Sequence, residues 1–217
     1  MSQMQQIRRD YIVIEGNIGS GKTTLAKILS ELWGTRLILE NFADNPFLPK
    51  FYENPEKHAF ALELSFLAER YHQNRNELSR TDLFHPGVVA DYSFAKSLIF
   101  AKINLPEDEF ELYQSLFQII NGRLPKPDLL IYLHCTEEKS LRQIVSRGRA
   151  YETVIELEYL QKITSGYLDY FKQQLELTIL IIETNNIDFV ANEQDLTTLI
   201  QQINRPYLTG IHRIAMS

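Results

Sequence analysis

The sequence contains a single cysteine, Cys135, so no disulfide can form within the chain and a reducing compartment is expected. No apolar run is long enough to span a bilayer, and Met1-Ser2-Gln3-Met4-Gln5-Gln6 lacks the apolar core of a signal peptide. The expected location is the cytoplasm, with no membrane partner. Positive charge is also scarce. Lys and Arg number 22 against 28 Asp and Glu, and the net charge of -6 argues against nucleic acid as a partner. The five histidines show no metal-ligand spacing, and His134 beside Cys135, at the end of an apolar strand, reads as packing rather than a zinc site. There is no repeat, low-complexity tract or linker. What remains is a chain of 217 residues, 44% apolar, expected to build one substantial core as a single α/β domain over 1–217.

The most specific feature present is Gly16-Asn17-Ile18-Gly19-Ser20-Gly21-Lys22-Thr23, which fits G-x-x-x-x-G-K-[ST]. Glycines let successive backbone N–H groups point into one cavity, Lys22 can reach the β- and γ-phosphates, and the Thr23 hydroxyl can hold Mg²⁺. Thr24, next in line, is grouped with these ATP-binding residues. Upstream, Tyr11-Ile12-Val13-Ile14 reads as a buried parallel strand. Downstream, Leu25, Ile28, Leu29 and Leu32 recur at helical spacing, so the loop opens onto a helix N-terminus that favours anions. The expected ligand is a nucleoside triphosphate.

Five strands are expected near 11–15, 36–40, 88–91, 129–134 and 178–183, alternating with helices, which predicts a five-stranded parallel sheet flanked by helices. Between the second and third strands, Pro46 to Tyr52 reads as a short helix. A long one follows from Pro55 to about Leu78, with Phe60, Leu64, Leu67 and Tyr71 along one stripe. Helices are expected at about 92–102, 106–121 and 188–204, and the tail from about 206 carries no readable pattern. Ligands of such sheets sit at the carboxyl ends of the strands. The second strand delivers Glu40 there and the third delivers Asp91. One carboxylate can hold Mg²⁺ through its waters while the other accepts a proton from an attacking hydroxyl. After the fourth strand come Arg142, Arg147 and Arg149. Gly148 breaks the helix so that two guanidinium groups can fold over a triphosphate, which predicts an arginine-bearing lid at about 142–152.

Taken in order, these residues resemble the deoxynucleoside kinases, the family of the deoxycytidine, deoxyguanosine and viral thymidine kinases. The resemblance runs from Tyr11 to about Val190. It is carried by the phosphate loop, Glu40, Phe51-Tyr52-Glu53-Asn54-Pro55-Glu56, Glu63 with Arg70, Asp91-Tyr92-Ser93, Arg147-Gly148-Arg149 with Glu152, and Asn186-Ile187-Asp188-Phe189. It implies ATP- and Mg²⁺-dependent phosphorylation of a deoxynucleoside 5′-hydroxyl, usually by a homodimer pairing through helices. By the same resemblance Glu40 lies nearest the 5′-hydroxyl, and Asp91 is the acidic residue described either as Mg-linked or as proton acceptor. Tyr52 and Glu152 hold the sugar 3′-hydroxyl, Glu63 and Arg70 read the base edge, Phe100 packs on the base, and Ile187-Asp188-Phe189 surround the ATP adenine.

Two positions depart from the family pattern. Tyr92, grouped with the substrate-binding residues, stands where the family has Arg, and Lys96, one helical turn on, is placed to carry that charge. Glu63 stands where the family has Gln. Both departures look like the bacterial deoxyguanosine-kinase branch. An ionised glutamate offers two adjacent acceptors, and guanine alone among the common bases presents adjacent donors, at N1 and N2. Arg70, seven residues on and on the same helical face, suits guanine O6 and N7. The expected substrate is a purine deoxynucleoside, deoxyguanosine first, with deoxyadenosine or a broader range as the alternative. A nucleoside monophosphate kinase resembling thymidylate kinase and a non-catalytic nucleotide-holding subunit are the competing classes. Against the first, Glu40-Asn41-Phe42-Ala43-Asp44 offers acid where a monophosphate needs arginines. Against the second, a non-catalytic protein needs no set of matched charges. A GTP switch lacks its Asn/Thr-Lys-x-Asp guanine motif.

Overall fold

A computed structural model describes residues 9–41, 45–80 and 85–216. In the part of the acidic segment it covers lie Glu40 and Asn41; Phe42, Ala43 and Asp44, like the Met1–Gln6 stretch, lie outside the described residues. The strands are β1 (Tyr11–Gly16), β2 (Arg36–Ile38), β3 (Val88–Ala90), β4 (Leu129–His134), β5 (Thr178–Glu183) and β6 (Gly210–Ala215). They form one sheet in the order β2-β3-β1-β4-β5-β6, and every neighbouring pair is parallel. The sheet therefore has six strands, not the five expected. The tail supplies the sixth, with Ile211 opposite Ile179 and Ile214 opposite Ile182.

The helices are α1 (Lys22–Trp33), α2 (Leu48–Glu53), α3 (Pro55–Leu78), α4 (Lys96–Asn104), α5 (Glu107–Asn121), α6 (Glu137–Arg147), α7 (Leu157–Lys172) and α8 (Glu193–Ile203). Isoleucine, leucine and valine fill the central strands because parallel strands are covered on both faces. On one face Ile12, Ile14, Ile131 and Leu180 pack against Leu25 and Leu29 of α1 and Leu199 of α8. On the other, Val13, Leu130 and Ile181 meet Ile99 of α4 and Ile163, Tyr167 and Phe171 of α7. A third cluster, with Phe51, Leu62, Phe66, Tyr113 and Phe117, joins α2, α3 and α5.

Two helix starts and one helix face differ from the sequence reading. Helix α4 begins at Lys96, not at Tyr92, because the Asp91–Ser93 turn is tied to β1 by Glu15. Helix α8 begins at Glu193, not near Asp188, because Asp188 accepts from the N–H groups of Val190 and Ala191 and closes a turn of its own. Helix α3 faces inward with Ala59, Leu62, Glu63, Phe66, Leu67, Arg70 and Asn74, while Leu64, expected inside, is 38% exposed. Three of those inward positions are polar, which masks the apolar period.

Candidate active site

The parallel register brings Gly16, Ala90 and Leu133 to one edge, and the site forms above it. Gly19 adopts φ +80°, and a Cβ there would lie 2.6 Å from the Ser140 carbonyl oxygen, so the loop can lie this close to α6 only with glycine. The loop is also tied to α7. Asn17 Nδ2 donates to the Leu160 carbonyl at 2.8 Å and to Thr164 Oγ1 at 2.9 Å, while its Oδ1 accepts from Ile18 N–H. Asn17, expected among the ATP contacts, is thus the loop's side-chain anchor. Gly19, Ser20, Gly21, Lys22, Thr23 and Thr24 line a cavity of about 300 Å³ with Gln143, Arg147 and Arg149. Backbone N–H groups at the start of α1 and three cationic side chains make it an anion cradle.

Beside the cradle lies a cavity of about 270 Å³, near the lower end of the ~300–1,000 Å³ usual for small-molecule sites. Its walls contain Ile18, Glu40, Tyr52, Glu63, Arg70, Asp91, Lys96, Phe100 and Glu152. The two cavities share Gly19, Lys22, Thr23, Arg147 and Arg149.

At that shared wall Asp91 Oδ2 accepts from Thr23 Oγ1 at 2.5 Å and Oδ1 accepts from Glu40 N–H at 2.7 Å. Glu40 Oε1 accepts from Arg70 Nε at 2.9 Å and Nη2 at 2.6 Å, and Oε2 from Lys96 Nζ at 2.5 Å. Burial alone would raise Glu40, but Lys96 and Arg70 outweigh it and hold the carboxyl down at about 2. Lys22 Nζ donates to the Asn17 carbonyl, and burial, with repulsion from Lys96, brings it down to about 8. Thr23 and Asp91 suit Mg²⁺, which takes one or two protein oxygens and completes its shell with water and phosphate. Among the described residues no three His, Cys, Asp or Glu side chains converge as a self-sufficient metal cluster.

One charged group here escaped the sequence reading. Glu15, fully buried at the end of β1, accepts from Ser93 N–H at 2.7 Å, Ser93 Oγ at 2.8 Å and Tyr167 OH at 2.7 Å. It fixes the turn that carries Asp91, and burial raises its carboxyl. The available signal was a lone acid ending an otherwise apolar strand.

Deeper in the cavity beside the cradle, Glu63 Oε1 accepts from Asn104 Nδ2 at 2.7 Å, while Oε2 is buried without a hydrogen-bond partner. Burial pushes the Glu63 carboxyl up to about 7. Arg70 does not pair with it. Beyond Glu40, its Nη1 donates to Ser97 Oγ at 2.8 Å and its guanidinium lies over Phe66 at 4.7 Å, so the expected fork aimed at a base edge is largely engaged. Phe100 lines the cavity, with Lys96 Nζ 5.4 Å from its ring centroid. Tyr92 does not line it. Its ring is wholly buried in the core and its hydroxyl donates to Gln73 Oε1, which corrects its expected place among the substrate contacts.

At the mouth, Glu152 is gripped by both lid arginines. Arg147 donates to Oε2 from Nε at 3.2 Å and Nη2 at 2.6 Å, and Arg149 Nη1 to Oε1 at 3.2 Å. Gly148 makes this possible by ending α6 at φ +70°, the left-handed cap conformation. Tyr52 stacks on Tyr151 with centroids 6.0 Å apart. Arg142 is exposed and outside both cavities. Ile187 and Phe189 also line neither cavity. They are buried in the core, Phe189 beneath Gly21, and Asp188 N–H donates to Asp195.

The family described as deoxynucleoside kinase matches residues 12–207. A deoxyguanosine kinase of Bacillus subtilis (strain 168) is 37% identical over 197 residues, covering 89% of this chain and 95% of the relative. A deoxyadenosine kinase of Dictyostelium discoideum is 33% identical over 210 residues, covering 94% and 82%. The structure of deoxyadenosine kinase from M. mycoides with bound dATP shares the fold, with a TM-score of 0.76 at 21% identity and coverage of 89% and 99%.

Proposed function

The chain belongs to the deoxynucleoside kinase family, and on that premise we propose that it transfers the γ-phosphoryl group of ATP to the 5′-hydroxyl of deoxyguanosine. The observation that carries the reading is the shared wall of the two cavities. A triphosphate in the cradle and a nucleoside in the neighbouring cavity would meet where Lys22, Thr23, Arg147 and Arg149 belong to both.

In this reading Lys22 and the loop N–H groups bind the phosphates. Thr23 and Asp91 would hold Mg²⁺, which compensates charge between the phosphate oxygens when bound. Glu40 orients the 5′-hydroxyl. As the new O–P bond forms and the bond to ADP breaks, Glu40 takes the hydroxyl proton. A carboxylate held near 2 is a weak base, but a loose transition state releases that proton late, so orientation matters more than basicity. Tyr52 and Glu152 read the 3′-hydroxyl, and Phe100 packs on the base. Glu63 reads guanine N1–H and the N2 amino group, its unpartnered Oε2 being an acceptor that lacks a donor. We assign the protein to the cytoplasm as one kinase domain, in keeping with its single, buried cysteine. A second copy would pack on the groove that Leu98, Ile103 and Tyr170 line between α4 and α7.

The test is an ATP-consumption assay against the four deoxynucleosides and their monophosphates. Deoxyguanosine is expected to give the highest kcat/KM. A pyrimidine preference would refute the base assignment, and a monophosphate preference would refute the acceptor.

A further inference from the structure

We propose that Glu63 reads two purines by changing its protonation state: ionised, it takes a guanine deoxynucleoside, and protonated at Oε2 it takes an adenine deoxynucleoside, with Asn104 fixing which oxygen carries the proton. The inference rests on the reading of the cavity beside the cradle as a deoxynucleoside site with Glu63 at the base.

The geometry supplies the asymmetry. Asn104 Nδ2 points its hydrogen at Oε1 from 2.7 Å, so a proton added there would face another donor. Oε2 is buried with no partner, leaving it free to be either an acceptor or an O–H donor. An ionised carboxylate presents two acceptors, matching the adjacent donors of guanine at N1 and N2. A carboxylic acid presents one donor and one acceptor, matching adenine N1 and its N6 amino group. Guanine N2 and adenine N6 flank N1 on opposite sides, so the same two oxygens serve both bases with adenine displaced by one position along its pairing edge, and one proton on Oε2 matches the change.

The surroundings leave that proton mobile. On its own helix Glu63 faces Arg70; from α4 it faces Lys96 and Asn104, and from the end of β2 it faces Glu40. Tyr52 of α2, Tyr113 of α5 and Tyr159 of α7 complete its surroundings. All three tyrosines are neutral, since burial raises their hydroxyls. The two cations are bonded to Glu40 rather than Glu63, so neither locks Glu63 in its charged form. Burial raises its carboxyl to about 7, with Asn104, Arg70 and Lys96 opposing, and both forms are populated near neutrality.

The experiment compares kcat/KM for deoxyadenosine and deoxyguanosine across pH 6 to 8. Titrations that affect both substrates alike, such as that of Lys22, cancel in the ratio. The deoxyadenosine-to-deoxyguanosine ratio is expected to fall at least about tenfold over that range, as the protonated fraction falls. Glu63→Gln cannot titrate, so its ratio should stay flat. Asn104→Ala, which loses a bond favouring the ionised form, should displace the whole ratio profile to higher pH. Calorimetry in buffers of different ionisation enthalpy adds a readout independent of turnover: deoxyadenosine should bind with proton uptake above pH 7, and deoxyguanosine with proton release below it. A flat wild-type ratio with deoxyguanosine still preferred would overturn the proposal and leave the base-pocket reading intact. A pyrimidine preference at every pH would overturn both.

Discussion

Glu40 receives a backbone constraint from Asp91, two bonds from Arg70 and one from Lys96, so its carboxylate is aimed before any substrate arrives. Such preorganisation contributes to a transition state without reorganisation during the reaction. The neutral variant Glu40→Gln keeps the shape but loses the charge that both cations face. It is expected to lower kcat by about 10²–10⁴ while KM for ATP stays near wild type. Asp91→Asn should instead shift the Mg²⁺ concentration needed for half-maximal activity. Steady-state kinetics over a Mg²⁺ series checks both. Near-normal turnover in Glu40→Gln, with turnover abolished and metal dependence unchanged in Asp91→Asn, would exchange the two roles. At this scale the sequence was partly legible. Strand ends located Glu40 and Asp91, because a parallel sheet sends strand termini to one edge. That Arg70 serves Glu40 was not legible, since helical spacing gives a residue's face but not its partner across the fold.

The segment from α6 through the Ala150–Glu152 3₁₀ turn behaves as a unit because one carboxylate ties it together. Glu152 is buried, whereas the Arg147 and Arg149 side chains are 37% and 32% exposed, so the arginines can exchange Glu152 for phosphate oxygens from their present positions. Arg147→Ala and Arg149→Ala should therefore cut kcat by about 10³ or more with a smaller rise in KM for ATP. Lysine should rescue poorly, lacking the planar fork. Equal, small effects on kcat would mean that the arginines serve only to hold Glu152. Among elements, those with an unbroken apolar period, such as β1, β4 and α1, were readable from sequence. Strand β6 was not. As an edge strand it alternates half-buried with exposed positions, and His212 and Arg213 interrupt its apolar residues. The inward face of α3 was obscured for a related reason, because Glu63, Arg70 and Asn74 occupy positions that a purely structural helix would fill with apolar side chains.

For the whole molecule, Glu40 and Glu63 pull stability in opposite directions along the pH axis. Glu40, held at about 2, lies below the ordinary carboxyl value of about 4.3. Its contribution is present above that value and is lost as pH falls toward 2. Glu63, raised to about 7, is the reverse case. Between about pH 4.3 and 7 the unfolded chain has released this proton while the native state keeps it. The native state then binds more protons, so stability falls across the window and stays low above it. For a fully buried group shifted this far, the loss is on the order of 3 kcal/mol. Glu63→Gln removes the charge that the fold resists. The variant should match wild type near pH 4, where Glu63 is protonated in the native state and largely so in the unfolded chain, and should exceed it in urea midpoint and Tm at pH 8. An equal difference at both pH values would show that Glu63 titrates in the native state as it does in the unfolded chain. The expected gain also explains why an acid at this position needs a ligand. A base whose N–H groups reach Oε2 relieves in the complex what the free protein tolerates, so at pH 8 deoxyguanosine should raise the Tm of wild type more than that of Glu63→Gln.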